Sequence, residues 1–143
     1  FNAAGYDIKG RVKNKENNPQ NLLPIVMEVA AGLRKKINVF GDDYDTPDGT
    51  CLRDYIHVND VVSAICHLIP SNFIGPIDIG IGESIPVMDI AKAMGRDLPI
   101  KDVVGEPDSL CADTRELRQL GWYPTINIMD HLQGNDPKLS TPF

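Results

Sequence analysis

Cysteine is scarce in this sequence, and its arrangement suggests no crosslink. Cys51, Cys66 and Cys111 are odd in number and widely spaced, and no two of them form a C-x-x-C pair. Neither a disulfide framework nor a zinc site is therefore expected. The sequence also lacks a run of about 18 apolar residues that would cross a membrane, and no basic-then-apolar signal region opens it. We expect a cytoplasmic protein that holds no metal and contacts no membrane.

Positive charge is also in short supply. There are 14 Lys and Arg residues against 20 Asp and Glu, which gives a net charge of −6. This balance argues against attraction of the whole chain to nucleic acid or anionic lipid, although a local basic pocket for a phosphate stays compatible with it. Hydrophobic residues make up 42% and charged residues 24% of the 143 residues, close to globular averages. This length and composition predict one ordinary folded domain with no nucleic-acid partner.

Familiar catalytic motifs are missing. There is no G-x-S-x-G elbow and no phosphate loop ending in Gly-Lys-Ser/Thr, and the three histidines lack metal-ligand spacing. Gly80 and Gly82 begin a G-x-G, but Ile85 holds the third glycine position of the dinucleotide fingerprint. We therefore expect no catalytic residue in this chain.

The hydrophobic pattern predicts alternating helices and strands. Apolar residues recur with helical spacing from Leu22 to Leu33, behind Asn21 in the N-cap position. Short β-branched or aromatic runs predict strands at 37–40, 51–58 and 77–81. Further helices are predicted at 61–69 behind Asp60, from Pro86 to about Met94, from the Asp113 and Glu116 capping box to Gly121, and at 127–133. This alternation favours an α/β architecture, followed by a coil tail over 135–143.

The most informative segment is 40–60, FGDDYDTPDGTCLRDYIHVND. Arg53 is a permanent planar cation that can hold a diphosphate in bidentate fashion, beside a loop whose glycines let backbone approach a ligand. The alternative interpretation is a surface ion pair of Arg53 with Asp48 or Asp54, since isolated arginines are usually structural or solvated. Residue type alone leaves both open.

The segment as a whole resembles the matching stretch of UDP-glucose (UDP-galactose) 4-epimerases, members of the extended short-chain dehydrogenase/reductase superfamily. Its long form, DY-x-T-x-DGT-x-x-RDYIHV, is characteristic of these enzymes. Other pieces follow in the family's order, namely FNAAG at 1–5, NLLP at 21–24, IDIGIGES at 77–84 and GEPDSLCADTRELRQLGW at 105–122. The resemblance runs from residue 1 to residue 133 and is to the carboxy-terminal part of the family.

The resemblance implies the terminal strands of a Rossmann-type sheet plus a small mixed α/β substrate-binding lobe, together spanning 1–134. Arg53 would pair with the phosphates of a UDP-sugar, Glu106 would accept from the ribose hydroxyls, and Leu110 would line the sugar pocket. The remaining implied contacts are Asn2, Asn21 and Leu22 to the diphosphate or sugar, Val39 and Phe40 near the uracil, and Phe1 at the cofactor NAD. Structural alternatives are a helix cap for Asn21, a core role for Phe40 and a solvated carboxylate for Glu106.

Two departures from the family pattern limit what the chain does alone. Val103 stands where the family generally has a second phosphate-clamping arginine, whose loss costs about 1.5–3 kcal/mol, roughly ten- to a hundredfold in affinity. The family's Tyr-x-x-x-Lys pair, whose tyrosinate removes a hydroxyl proton, is missing, because no tyrosine here has a lysine four residues later. The resemblance thus implies a UDP-sugar-binding part that neither catalyses nor holds NAD alone. The NAD-binding amino-terminal half would be absent, and full-length members tend to form homodimers.

The sugar and the complete activity stay open at this point. One alternative is another nucleotide-sugar epimerase or a 4,6-dehydratase that shares the lobe, and another is a truncated, non-catalytic binding module. If 1–5 and 52–58 are strands of a larger sheet, the chain alone carries unpaired edges and uncovered apolar faces. We therefore expect the chain alone to be marginally stable.

Overall fold

A computed structural model of the protein describes residues 2–7, 9, 11–12, 19–30, 33–35, 39–41, 43–93, 100–101 and 108–133. In these ranges helices and strands are interspersed, which confirms the predicted α/β class. The strands are β1 (Asn2–Ala4), β2 (Val39–Phe40), β3 (Leu52–Arg53), β4 (Tyr55–His57), β5 (Ile85–Pro86), β6 (Ile100–Lys101) and β7 (Ser109–Leu110). The helices are α1 (Leu22–Ala30), α2 (Val58–Leu68), α3 (Val87–Ala93), α4 (Arg115–Gln119) and α5 (Ile128–Leu132). The predicted coil tail, 135–143, lies outside the described residues.

The strands pair into three small sheets. β1 runs parallel to β4, with Asn2 opposite Tyr55, and β2 runs parallel to β6. β3 is the central strand of the third sheet, antiparallel to β5 on one side and parallel to β7 on the other. Since β3 and β4 are separated by Asp54 alone, that residue joins the first sheet to the third.

The two faces of β4 are covered by different helices. Tyr55 packs in a cluster with Leu23 of α1, Ile90 of α3 and Ile128 of α5. Its neighbour Ile56 packs in a separate cluster whose members are Ala64 of α2, Leu117 of α4 and Trp122. Successive side chains of a strand point to opposite faces, so β4 separates two parts of the core.

The predicted strand at 77–81 is wrong. Although these residues are all described, none of them belongs to a strand. The backbone N–H groups of Ile81 and Gly82 donate to the carboxylate of Asp54, at 3.0 and 2.9 Å, instead of to a neighbouring strand. A long-range side chain therefore takes the place of the strand partner that the alternating pattern predicts.

Two predicted helix caps are also displaced. α2 begins at Val58 behind His57, whose Nδ1 accepts from the N–H of Asn59 at 3.1 Å, so Asp60 lies within the first turn. α4 begins behind Thr114, and the Asp113 carboxylate instead holds Arg115. The helix predicted at 127–133 is confirmed, with the Asn127 side chain accepting from two N–H groups of α5.

The described ranges contain neither a membrane-spanning helix nor a cluster of metal-ligating side chains. No helix there has both the length and the hydrophobicity of a membrane span. Within the same ranges, no three His, Cys, Asp or Glu side chains come together in a way that could hold a metal ion.

An apolar stripe on α2 faces outward. Val62 is 54% exposed, Ile65 48%, and Ile69 at the helix C-cap 76%. Exposed apolar surface of this kind favours association. We predict that the chain alone unfolds in a weak transition near room temperature and self-associates, as measured by scanning calorimetry and size-exclusion chromatography. Cooperative unfolding of a soluble monomer well above room temperature would contradict this prediction.

Candidate functional site

A cavity of about 230 Å³ lies where the start of α1 meets the sheet formed by β1 and β4. Its lining consists of Asn2, Ala3, Asn21, Leu22, Leu23, Pro24 and Tyr55. Three of the residues predicted to bind the substrate therefore lie around one space. We refer to it as the Asn2 cavity.

Asn2 is held in place by the backbone of Asp54. Both its N–H and its side-chain Nδ2 donate to the Asp54 carbonyl, each at 3.1 Å. The side-chain amide is thereby oriented through its nitrogen. Asn2 is itself exposed at the edge of the sheet, so its side-chain amide is available to a ligand in the cavity.

The start of α1 forms the opposite wall. Leu22 is the first helical residue, and the carbonyl of Asn21 accepts from the N–H of Ile25. The first N–H groups of a helix have no partner within the helix, and Pro24 in the first turn has no N–H to leave unpaired. The cavity thus faces a helix end that favours an anion.

Arg53 is buried, with 8% of its surface exposed, and its Nη1 donates to the Leu52 carbonyl at 2.8 Å. This burial argues against the alternative of a surface ion pair. The fully buried Asp54 directs its carboxylate to backbone N–H groups, and the Asp48 carboxylate accepts from Thr50. Within its sheet, Arg53 lies opposite Ile85 on β5 and Leu110 on β7.

Tyr55, two residues after Arg53, is the aromatic residue of the Asn2 cavity. It lines the cavity and is 4% exposed. Burial raises its pKa well above the usual range, neighbouring Cys51 adds to that rise, and Arg53 partly opposes it. The phenol is therefore neutral near pH 7 and can donate a hydrogen bond. Arg53 itself is not part of the cavity lining.

The other predicted site residues are placed less directly. Leu110 is 44% exposed on β7 beside Arg53 but is not part of the lining of the Asn2 cavity. Val39 and Phe40 form β2, and their predicted contact with the uracil stays a prediction. Phe1, Val103 and Glu106 lie outside the described residues, so their predicted roles stay predictions.

Two residues that organise the site, Asp54 and Tyr55, were given no role from the sequence, although both belong to its RDYIHV motif. Tyr55 follows Arg53 by two positions, the spacing of one strand face, and that signal is sufficient to find it. Asp54 accepts from N–H groups 27, 28 and 58 residues away, at Ile81, Gly82 and Ala112. No local pattern predicts contacts over such separations.

Residues 1–82 match the NAD dependent epimerase/dehydratase family model. This match takes in more than half of the chain, and the chain belongs to that family. UDP-glucose 4-epimerase of Halalkalibacterium halodurans is 37% identical over 144 residues, which cover 90% of this chain and 43% of the relative. The resemblance to UDP-glucose 4-epimerases is thus confirmed.

Solved structures agree with that assignment. UDP-glucose-4-epimerase from Stenotrophomonas maltophila, with bound NAD and formylated UDP-arabinopyranose, gives a TM-score of 0.81 at 32% identity, covering 97% of this chain and 45% of that chain. UDP-glucose 4-epimerase from Bifidobacterium longum, in complex with NAD+ and UDP, gives 0.77 at 32% identity, covering 94% and 44%. This chain therefore spans less than half the length of the relatives that it matches.

Proposed function

We propose that this chain is the carboxy-terminal, UDP-sugar-binding part of an NAD-dependent UDP-glucose/UDP-galactose 4-epimerase, an isomerase. The observation that carries the proposal is the meeting of Asn2, Asn21 and Leu22 around one cavity, whose wall also includes Tyr55, two residues after the buried Arg53. The 4-epimerase relatives, one of them in complex with UDP, support the same substrate class. The amino-terminal half would be the partner that completes the enzyme.

The chemistry of these groups suits a diphosphate. A buried guanidinium forms strong, charge-assisted hydrogen bonds to phosphate oxygens, because the surroundings screen it weakly. The Tyr55 hydroxyl, the Asn2 amide and the first N–H groups of α1 add neutral donors. In this proposal Arg53 supplies the charge, and the neutral donors orient the nucleotide.

The incomplete G-x-G of this chain does not fit NAD. Gly80 and Gly82, which begin the incomplete G-x-G, approach the protein itself: a Cβ at Gly80 would lie 2.6 Å from Asp54 Oδ2, and one at Gly82 2.7 Å from Thr114 Oγ1. These glycines accommodate internal packing, not a pyrophosphate. We therefore propose that the amino-terminal half holds NAD, with Phe1 as the contact that this chain would add.

Arg53→Ala tests the proposal. In calorimetric titrations of the purified chain with UDP and with UDP-glucose, we expect the substitution to weaken binding roughly ten- to a hundredfold, since a charge-assisted contact contributes about 1.5–3 kcal/mol. Arg115→Ala is the matched control, because it removes the same charge from an exposed pair with Asp113. It should leave the affinity unchanged.

Two outcomes would contradict the proposal. A chain that is folded by circular dichroism and binds neither ligand lacks the predicted site. Equal weakening by Arg53→Ala and Arg115→Ala would mean that only the net charge of the chain attracts the nucleotide.

Which sugar the UDP-sugar carries is a separate question from nucleotide binding. The Stenotrophomonas relative holds a formylated UDP-arabinopyranose, which favours a pentose or a modified sugar as the alternative to a hexose. Titration with UDP-glucose, UDP-N-acetylglucosamine and UDP-xylose under the same conditions distinguishes them. Tighter binding of UDP-xylose than of UDP-glucose would identify this lobe as part of an epimerase of another UDP-sugar.

A further inference from the structure

We propose that Asp54 is a positioning residue that keeps Arg53 in its binding register, an inference that rests on the proposed function. The Asp54 carboxylate and the three N–H groups that it accepts, those of Ile81, Gly82 and Ala112, are called the Asp54 clamp. Asp54 is not part of the lining of the Asn2 cavity and acts through the strands that hold its neighbour.

The Asp54 clamp is fully enclosed. Asp54 has 0% of its surface exposed, and Oδ1 accepts from Ile81 at 3.0 Å while Oδ2 accepts from Gly82 at 2.9 Å and Ala112 at 3.2 Å. A buried carboxylate is retained only where several donors replace its hydration. The clamp meets that condition with backbone donors from two separate segments.

Those two segments flank the strand that carries Arg53. Ile81 and Gly82 lie shortly before β5, and Ala112 lies two residues after β7. The N–H of Asp54 also donates to the Leu110 carbonyl at 3.0 Å. The clamp therefore fastens both outer strands of the sheet at the end of β3 where Arg53 lies.

Strands this short need contacts beyond their own ladder to fix their register. Each strand in this sheet has two residues, so few ladder hydrogen bonds define its register. A slip of one residue turns a side chain to the opposite face of a sheet. Such a slip would turn the Arg53 side chain to the opposite face of its sheet and change its partners on β5 and β7.

Gly80 provides independent support for the clamp. A Cβ added there would lie 2.6 Å from Asp54 Oδ2 and in still closer contact with the Ala112 side chain. The chain therefore needs glycine at this position to bring 81–82 up to the carboxylate. Gly80→Ala would open the clamp without altering Asp54.

A double-mutant cycle on UDP affinity tests the inference. Asp54→Asn places an NH₂ group against at least one backbone N–H, and we expect it to weaken UDP binding by about tenfold. If the loss is transmitted through Arg53, adding Asp54→Asn to Arg53→Ala should weaken binding no further. Gly80→Ala should reproduce the loss and carries the cycle if Asp54→Asn does not fold.

Asp60→Asn is the matched control. Asp60 is also a buried carboxylate that accepts three hydrogen bonds, but its donors belong to Thr125 and Ile126 and not to the sheet that holds Arg53. Its amide oxygen can still accept from both backbone N–H groups, so we expect a slightly lower unfolding temperature, an unmoved α5 and unchanged UDP affinity. Affinity losses that are equal for Asp54→Asn and Asp60→Asn, or additive with Arg53→Ala, would overturn the inference.

The test separates this inference from the proposed function. If the unaltered chain binds UDP and Arg53→Ala does not, while Asp54→Asn and Gly80→Ala bind normally, the proposed function stands and the positioning role is wrong. If the unaltered, folded chain binds no UDP, the proposed function fails, and the positioning role fails with it.

Discussion

Gly5→Ala is expected to leave the chain largely unfolded. Gly5 has a φ of +88°, where an L-residue costs about 1–2 kcal/mol. A Cβ there would also run into the His57 imidazole, within 2.5 Å of its Cδ2. His57 has no exposed surface, caps α2 through Nδ1, and lies 4.6 Å from the ring of His131, so it has no room to move. Overpacking adds roughly 1–3 kcal/mol, a large share of the stability of a small domain.

Urea unfolding at low temperature, below the thermal transition expected for the chain alone, measures this effect by fluorescence. Trp122 is the single tryptophan and is 5% exposed, so its emission reports on the core. Gly121→Ala is the matched control: its φ is +87°, but nothing lies within 4 Å of the added Cβ. It should cost only the backbone strain of about 1–2 kcal/mol. Equal urea midpoints for the two variants would mean that the His57 side chain can move aside without any loss of stability.

Asp60→Ala should destabilise the chain by about 3–5 kcal/mol, because it leaves buried donors without an acceptor. Asp60 is 2% exposed, and its carboxylate accepts from Thr125 N at 3.0 Å, Thr125 Oγ1 at 2.9 Å and Ile126 N at 2.9 Å. These bonds fasten the segment before α5 to the first turn of α2. Loss of the carboxylate should therefore release α5, whose Ile128 packs in the same cluster as Tyr55.

The same urea experiment, with hydrogen exchange of the amides of α5, measures the release. Asp60→Asn keeps an acceptor and should cost less than Asp60→Ala. Asp113→Ala is the control, since Asp113 is exposed and pairs with Arg115, and exposed ion pairs contribute little. If Asp60→Ala and Asp113→Ala unfold at the same urea concentration, the segment before α5 does not depend on Asp60.

Helix α1 could be predicted from the hydrophobic pattern, whereas the residues of the Asn2 cavity could be predicted only from the family resemblance. The helix follows from apolar residues at helical spacing behind Asn21, although the described helix ends at Ala30, before the predicted end at Leu33. The cavity residues follow only from the family resemblance, because periodicity gives no reason to bring Asn2 near Asn21. Parallel pairing of β1 with β4 brings them together, and strand pairing over that distance has no local signature.

Residues 77–81 show why the partners of backbone N–H groups could not be predicted from the sequence pattern. Alternating isoleucines are typical of a strand, and Ile77, Ile79 and Ile81 do pack against the cluster around Ile56. Their side chains thus obey the pattern, while the N–H of Ile81 goes to Asp54. Tertiary context decides where a backbone donor is satisfied, and the sequence pattern records only which side chains are buried.

The wide separation of hydrogen-bonded segments has a consequence for synthesis on the ribosome. The hydrogen bond from Asn2 can form only after Asp54 has been synthesised, 52 residues later. The bond from Ala112 to the Asp54 carboxylate requires a further 58 residues. Folds built on such non-local pairing form slowly, since the intervening loop is ordered before the contacts repay its entropy. During translation, the cavity wall between β1 and β4 is thus able to close well before the strands around Arg53 do. The emerging chain would hold a neutral cavity first and gain its phosphate-binding charge last.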